Sequence, residues 1–342
     1  MNVAILGCGA IARKRHAPAL SNYEGVCFYA VCDPVKENAD SLAGQYHVKA
    51  FYDLTEFLAC EEIDAVIVCT PERFHRDNVI QVLRAGKHVL CEKPLAMDAG
   101  QAGEIIDEWK KTDRKLMVAF SQRTYKVHVM ARKLIQEGKI GKPIFFRTNL
   151  TQKGVEYTTL AGAKADYYDR YLKNIGGALL SVGCHRIDLV DYLFDSHIKE
   201  VQAFTPTIDK TYADGRKIDA EDHALINTRL ENGLSGLIWI SWSNYGEAEN
   251  ETVVYGTEGN LKTFDGKGIR IYHKDGTVDE YDTHADGDEY QNITVDFLDA
   301  LTKNAAMTAD GMDGYRCMQV ISAVKKSNAC GGWVSVEQNI RS

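Results

Sequence analysis

A glycine-rich loop near the N-terminus has the residue types and spacing of a dinucleotide-binding site. Residues 7–12 read GCGAIA, which fits G-x-G-x-x-A, and they lie between a short apolar run and a helical pattern. Gly7 would permit a tight turn, Gly9 would let the backbone approach a pyrophosphate, and Ala12 would let the helix pack on the strand. The helix would then present unpaired N–H groups to the phosphates. The predicted cofactor contacts of this loop are Gly7, Gly9, Ala10, Ile11 and Ala12.

An acidic residue stands where such a site needs one. Asp33 ends the second predicted strand, 21 residues after Ala12. A carboxylate at this position would accept hydrogen bonds from an adenosine ribose. Its negative charge would repel a 2′-phosphate, which favours NAD over NADP as the cofactor. Lys36 follows closely and remains an alternative partner for such a phosphate.

The first 120 residues alternate between short apolar runs and segments of helical periodicity. The runs are continuous, which is typical of a parallel sheet covered by helices on both faces. The predicted strands are 3–6, 27–32, 65–69, 88–91 and 116–120, and the predicted helices are 11–21, 35–46, 53–58, 74–85 and 98–111. We therefore predict an α/β domain, a Rossmann-type doubly wound parallel sheet, in residues 1–122.

The pattern changes after about residue 122, where a helix at 125–137 precedes strand-like segments with few helices between them. These segments are 144–150, 201–205, 223–230, 234–242, 251–255, 269–273 and 278–281. Turn signals at 231–233 and 274–276 indicate hairpins. We predict an α+β domain, 123–342, with an open, mostly antiparallel sheet of at least five strands. Helices near 183–194, 290–302 and 314–328 would cover one face, the C-terminal helix can pack back on the first domain, and 152–174 is the least regular segment.

Two further motifs give the chain a family resemblance. Glu92-Lys93-Pro94 follows a predicted strand, and Thr70-Pro71-Glu72-Arg73-Phe74-His75 lies upstream of it. With the glycine loop, these residues make the chain resemble the glucose–fructose oxidoreductase / inositol dehydrogenase family, often written Gfo/Idh/MocA. The resemblance runs along nearly the whole chain, including 310–323 and 331–334 as a closing helix and strand. It implies an open sheet that forms homodimers or homotetramers.

The resemblance also implies a set of cofactor neighbours. Ser121, Gln122 and Arg123 look like the family's crossover segment near the nicotinamide. The residues implied to contact the cofactor, besides the glycine loop and Asp33, are Thr70, Pro71, His75, Glu92, Lys93, Gln122 and Arg123.

Hydride transfer also needs a group that takes or gives the hydroxyl proton. Lys93 ends a predicted parallel strand, where such sheets bind ligands, and its cation would stabilise alkoxide character. The family has a helix with a histidine preceded four residues earlier by an acid, and the histidine matches His185. Imidazole titrates near neutral pH, so His185 is a candidate general acid or base. Asp188, one turn later, would orient His185 or merely support the helix.

The acid of that motif is replaced by Ser181 in this chain. Either Ser181 serves as a neutral hydrogen-bonding group, or another residue supplies the missing carboxylate. Tyr157, Tyr167 and Tyr168 precede the motif in the irregular segment, and loops of this kind line pockets. The predicted catalytic residues are Lys93, Ser181, His185 and Asp188, and the predicted substrate contacts are Lys93, Tyr157, Tyr167, Tyr168 and His185.

These residues predict an NAD-dependent dehydrogenase or reductase, NADP being less favoured, that acts on a sugar, inositol or related polyol. Two alternatives stay open: a redox-neutral NAD-dependent glycoside hydrolase or lyase, and a non-enzymatic NAD- or sugar-sensing protein. A net charge of −8 and only short basic runs argue against nucleic-acid binding. No paired Cys/His spacing indicates a metal, and no run predicts a membrane span. Nine cysteines without a pairing pattern, and no basic residues before the apolar start, predict a cytoplasmic protein.

Overall fold

The structure is a computed structural model that describes residues 1–158, 166–264, 268–283 and 292–337. The chain divides into two compact units. One contains Met1–Phe120 together with Asn292–Met318, and the other contains the remaining described residues. This division differs from the predicted domains 1–122 and 123–342, because Asn292–Met318 group with the N-terminal sheet.

The first unit is built on a six-stranded sheet in which every strand pair is parallel. Its order is β3-β2-β1-β4-β5-β6, so the chain changes direction across the sheet next to β1, where parallel α/β sheets bind ligands. The predicted doubly wound fold is confirmed. The strands are β1 (Asn2–Leu6), β2 (Cys27–Cys32), β3 (Lys49–Phe51), β4 (Ala65–Val68), β5 (His88–Cys91) and β6 (Leu116–Val118).

Helices of this unit bury apolar stripes against the sheet. One hydrophobic core contains Ile5 and Ile67 from the strands and Leu42 and Phe297 from the helices. The α-helices are Ala17–Ser21, Lys36–Tyr46, Leu54–Ala59, His75–Arg84, Ala99–Trp109 and Ile293–Thr302, with a π-helical turn at Ala12–His16. The last of these helices was predicted, as 290–302, to cover the second sheet. That prediction is wrong, because Ile293, Phe297 and Leu298 pack into the first core.

The second unit contains a nine-stranded sheet of order β14-β13-β12-β11-β7-β10-β9-β8-β15. Every neighbouring pair is antiparallel except β7 and β10, so the predicted mostly antiparallel sheet is confirmed. The strands are β7 (Pro143–Thr151), β8 (Ile198–Phe204), β9 (His223–Leu230), β10 (Ser235–Ser241), β11 (Glu249–Gly256), β12 (Gly259–Phe264), β13 (Gly268–His273), β14 (Val278–Asp282) and β15 (Val334–Ser335).

Among the described residues of this unit, one face of the sheet is covered and the other carries exposed side chains. Along β9, Ala224 and Ile226 are buried while Leu225 is exposed, as the two-residue period of a half-covered sheet requires. Trp239 and Phe145 are also exposed, on strands β10 and β7. The α-helices of this unit are Lys126–Gln136, Val155–Thr158, Tyr167–Ile175 and Cys184–Phe194, and helix Gly311–Cys330 enters it from the first unit.

The segment predicted to be irregular, 152–174, contains two of these helices, and its residues 159–165 lie outside the described residues. Helix Tyr167–Ile175 buries Tyr168 and Leu172, four residues apart, so it has an inward face despite its polar composition. The described helices include none that is both long and apolar enough to cross a membrane.

Candidate functional site

The glycine loop after β1 is shaped by close backbone contacts. Gly7 has φ +93°, and a Cβ there would lie 2.7 Å from the main-chain carbon of Cys69. The Gly7 N–H donates to the carbonyl of Cys32 at 2.8 Å. At Gly9 an added Cβ would meet no atom of the described residues within 4 Å, apart from its chain neighbours, so the loop backbone is open to a ligand there. This arrangement fits the pyrophosphate of a dinucleotide, which needs an unobstructed backbone.

Asp33 holds the loop from the end of the neighbouring strand. One carboxylate oxygen accepts the Cys8 N–H at 2.8 Å, and the other accepts the Val35 N–H at 2.9 Å. Each oxygen keeps a second acceptor position, so the carboxylate can also receive ribose hydroxyls. Burial and then the charge of Asp33 raise the pKa of the Cys8 thiol to about 12, which keeps it neutral. Lys36 lies over the ring of Tyr52, with Nζ 5.3 Å from the ring centroid.

The residues on either side of Lys93 are held by buried histidines. Glu92 Oε1 lies 3.0 Å from His16 Nε2, and Glu92 Oε2 accepts the Lys93 main-chain N–H at 3.1 Å. Burial alone would raise the pKa of Glu92, but the hydrogen bond and charge of His16, with the charge of Lys93, lower it to about 2. The carboxylate of Glu92 is therefore ionised at neutral pH and engaged with its neighbours. Pro94 is held through its carbonyl by His75.

The Thr70-to-His75 segment is tied to the same edge of the sheet. His75 Nε2 lies 2.8 Å from the Thr70 carbonyl oxygen, and Asn78 donates to the Thr70 hydroxyl at 2.9 Å. Pro71 precedes a 3₁₀ turn at Glu72–Phe74, which leads into helix His75–Arg84. His75 is 1% exposed, and both of its ring nitrogens contact main-chain oxygens at this edge of the sheet.

The second unit places Ser181 and His185 at the start of one helical segment. A π-helical turn at Leu179–Gly183 continues into helix Cys184–Phe194, and Ser181 is buried. A carboxyl group that the sequence did not single out lies at the beginning of this segment. Glu221 accepts the Leu179 N–H at 3.0 Å, and burial raises its pKa. A Cβ on Gly177 would lie 2.3 Å from the same carboxylate, so glycine leaves room for it.

Asp188 is joined to the crossover segment by a buried ion pair. Arg123 Nη2 lies 2.6 Å from Asp188 Oδ1, and Nε lies 2.9 Å from Oδ2, which is a two-point contact. The side chains are 9% and 1% exposed. Asp188 therefore connects the His185 helix to the 3₁₀ turn Ser121–Thr124.

Breaking this pair is expected to be costly because it leaves an uncompensated charge in the interior. Asp188→Ala is expected to lower the free energy of unfolding by about 3–5 kcal/mol, measured by urea denaturation. The double variant Arg123→Met/Asp188→Leu removes both charges and is expected to lose much less. Equal losses in the two variants would contradict a dominant contribution from the unpaired charge.

Gln122 lies next to that pair and is fixed by its backbone. The His128 Nδ1–H donates to the Gln122 carbonyl at 2.7 Å. Burial, and then the charge of Arg186, lower the pKa of His128 to about 3, so its ring is neutral. Gln122 Oε1 is buried and has no hydrogen-bond partner within the part of the chain that the structure describes.

The predicted tyrosines lie around an ion cluster that the sequence did not reveal. Tyr168 is buried and donates to Glu156 at 2.5 Å, and Lys210 lies 2.9 Å from the other oxygen of Glu156. The hydroxyl of Tyr168 is therefore engaged within the protein. Tyr157 is 47% exposed, and its ring lies edge to face with Tyr245. Tyr167 packs on Tyr168 and Tyr171.

Ser241, His223 and Asp222 form a hydrogen-bonded chain at the ends of β9 and β10. Ser241 Oγ lies 3.0 Å from His223 Nε2, and His223 Nδ1 lies 2.8 Å from Asp222 Oδ1. The atom order matches that of a nucleophilic triad. Ser241 is 2% exposed, however, and its hydroxyl oxygen accepts the Ser243 N–H at 3.0 Å. We therefore infer that these hydrogen bonds hold the ends of β9 and β10 together.

No group of His, Cys, Asp and Glu that could hold a metal ion occurs among the described residues.

Comparison with known proteins matches two successive segments of the chain to one family. Residues 1–120 match "Oxidoreductase family, NAD-binding Rossmann fold", and residues 128–262 match "GFO/IDH/MocA C-terminal domain". The chain is 29% identical over 339 residues to inositol 2-dehydrogenase of Rhizobium meliloti strain 1021, covering 95% of this chain and 96% of the relative. It is 26% identical over 345 residues to myo-inositol 2-dehydrogenase of Thermotoga maritima, covering 96% of each.

A solved structure shares the fold over nearly the full length. The WlbA dehydrogenase from Bordetella pertussis, in complex with NADH and UDP-GlcNAcA, superposes with a TM-score of 0.81. The match covers 99% of each chain at 21% identity. At this identity the likeness establishes the fold.

Proposed function

Because the chain belongs to the GFO/IDH/MocA family of NAD-binding oxidoreductases, we propose that it interconverts a secondary alcohol and a ketone on a sugar, inositol or related polyol. The observation that carries the proposal is the open glycine loop beside Asp33, at the strand edge where Lys93 is held. The predicted family and the NAD cofactor are confirmed. The polyol class is supported by the names of two relatives that align over nearly the whole chain.

The roles of the residues follow from their contacts. NAD, when bound, supplies the carbon that accepts or returns a hydride. Gly7–Ala12 would carry its pyrophosphate and Asp33 its ribose, with Thr70, Pro71 and Gln122 as further neighbours. His75, Glu92 and Arg123 have their polar atoms engaged within the protein, so we propose that they position the site.

Lys93 would stabilise the negative charge that develops on the substrate oxygen, and His185 would transfer the hydroxyl proton. The Lys93 ammonium would bind the oxygen and stabilise alkoxide character during hydride transfer. The imidazole of His185 would hold the proton that leaves or returns. Ser181 would bind a substrate hydroxyl as a neutral group, and Tyr157 and Tyr167 are the remaining proposed substrate contacts.

We propose that Asp33 sets the preference for NAD over NADP. Asp33→Asn keeps one acceptor oxygen, enough for one of the two N–H groups, of Cys8 and Val35, that the carboxylate accepts, and it removes the charge that repels a 2′-phosphate. The value of kcat/KM for NAD divided by that for NADP is expected to fall about tenfold. The reason is that like charges a few ångströms apart repel by on the order of 1 kcal/mol or more. Asp77→Asn, at an exposed carboxylate on helix His75–Arg84, serves as the control. An unchanged ratio in Asp33→Asn would contradict this role.

The open face of the second sheet is the proposed contact between subunits of a homodimer or homotetramer. Its exposed Phe145, Leu225 and Trp239 are large apolar side chains on neighbouring strands, as expected of an association surface. A monomer found by light scattering at micromolar concentration would contradict this.

We also propose a cytoplasmic location, since all nine cysteines are free thiols. Recovery of the protein from the culture medium would exclude it.

The proposed function is tested by following NADH absorbance with NAD and a panel of inositols, aldoses, uronic acids and glycosides. We expect NADH with one class of polyol or sugar. Cleavage of a glycoside that depends on NAD, without net NADH, would instead indicate the redox-neutral enzyme. Tight NAD binding with neither reaction across the panel would favour a sensor.

A further inference from the structure

Two histidines hold the chain neighbours of Lys93, but their partners differ in kind. His16 binds the Glu92 carboxylate and, through Nδ1 at 2.8 Å, the hydroxyl of Thr294. A hydroxyl can donate or accept, so the ring of His16 is satisfied with one ring proton or with two. His75 has no such freedom, because both of its partners are main-chain carbonyl oxygens.

The geometry at His75 requires a donor on each ring nitrogen. Nδ1 lies 2.7 Å from the Pro94 oxygen, and Nε2 lies 2.8 Å from the Thr70 oxygen. A carbonyl oxygen only accepts hydrogen bonds, and a neutral imidazole carries a single N–H. A neutral ring would therefore aim a nitrogen lone pair at a carbonyl lone pair on one side.

Burial makes that mismatch costly. The side chain of His75 is 1% exposed, so water is excluded from replacing a lost partner. A buried polar atom without its hydrogen bond destabilises a fold by about 1–3 kcal/mol. Burial also disfavours a charged imidazole, and at His75 this cost is opposed by two charge-assisted bonds to carbonyl oxygens at 2.7 and 2.8 Å, both of which form only with two ring protons.

We propose that His75 is doubly protonated in the folded protein and acts as a positioning residue for Lys93. It ties the carbonyl that follows Lys93, after β5, to the carbonyl of Thr70, after β4. Together with the Glu92 bond to the Lys93 N–H, this fixes the backbone from which the lysine side chain extends. The positioning part rests on the proposed function, whereas the protonation state does not.

The protonation state is measured by nitrogen NMR of the full chain with ring-labelled histidine, at neutral pH. The signals of His75 are those that disappear in His75→Phe, or in His75→Gln if the first variant does not fold. Two ring nitrogens with similar shifts and attached protons are expected. Two widely separated shifts, as in a neutral tautomer, would overturn the proposal, and this reading needs no substrate.

The positioning role is measured by kinetics of the same variants. His75→Phe keeps a ring but removes both donors, and we expect kcat to fall about tenfold to a hundredfold because the lysine is misplaced. The KM for NAD is expected to stay within about threefold. The control is His88→Phe, at the opposite end of β5, where the ring accepts the Lys115 N–H at 2.9 Å. Equal kcat in His75→Phe and wild type, or an equal loss in the control, would overturn the positioning role.

Discussion

Replacing Lys93 with methionine is expected to lower kcat/KM by about a thousandfold while leaving NADH binding within about threefold. The lysine backbone is fixed by Glu92 and by the carbonyl contact of His75, and the substitution leaves both of these main-chain contacts in place. Electrostatic stabilisation and proton transfer each contribute on the order of a hundredfold or more to such reactions. Steady-state kinetics and fluorescence titration with NADH measure the two effects separately.

The matched control is Lys111→Met, which removes an exposed lysine of the same unit. It is expected to keep wild-type kinetics. Retention of more than about a tenth of the activity by Lys93→Met would contradict a direct role for the ammonium group. Loss of NADH binding in Lys93→Met would place the lysine in the cofactor site alone.

Gly7→Ala and Gly9→Ala are expected to affect different properties: the first lowers stability, and the second lowers the affinity for NADH. Gly7 has positive φ and its added Cβ would press on the backbone of Cys69, so Gly7→Ala should lose about 2 kcal/mol or more of stability. Gly9→Ala adds its methyl group where the described residues, apart from the chain neighbours of Gly9, place no atom within 4 Å. Its melting temperature should be unchanged, while NADH affinity falls about tenfold to a hundredfold because phosphate contacts are blocked.

Thermal melts and NADH titrations on the two variants check this pair, and each is the control for the other. Similar stability in both variants would contradict the backbone clash inferred at Gly7. Undiminished NADH affinity in Gly9→Ala would contradict the placement of the pyrophosphate at this loop.

Much of the first unit could be predicted because its strands are buried on both faces. Ala65–Val68 reads as an unbroken apolar run, and its flanking turns set its length. Strand β3 (Lys49–Phe51) was missed, because three residues beginning with lysine have no pattern of their own and depend on pairing with β2. Strand β12 was missed for a related reason, since Gly259–Phe264 mixes glycine, asparagine and lysine with few apolar residues.

What a helix packs against was harder to predict than the helix itself. The apolar face of Ile293–Thr302 indicated a helix, but periodicity does not say which core receives Phe297. The same limit applies to the site. The spacing of the glycine loop predicted its geometry, whereas the partner of Asp188 is 65 residues away in the chain. The contacts of His75 with two carbonyls leave no sequence signal, because any residue supplies a carbonyl.

The proposed function requires direct hydride transfer between a polyol carbon and the cofactor, and transfer of an isotope label from that carbon tests it. The substrate identified in the NADH panel is prepared with deuterium on the carbinol carbon and incubated with NAD and the enzyme. One deuterium per turnover is expected on the nicotinamide ring of the reduced cofactor, and Lys93→Met is expected to slow the transfer about a thousandfold. Reduced cofactor without deuterium, or product formed without reduced cofactor, would contradict it.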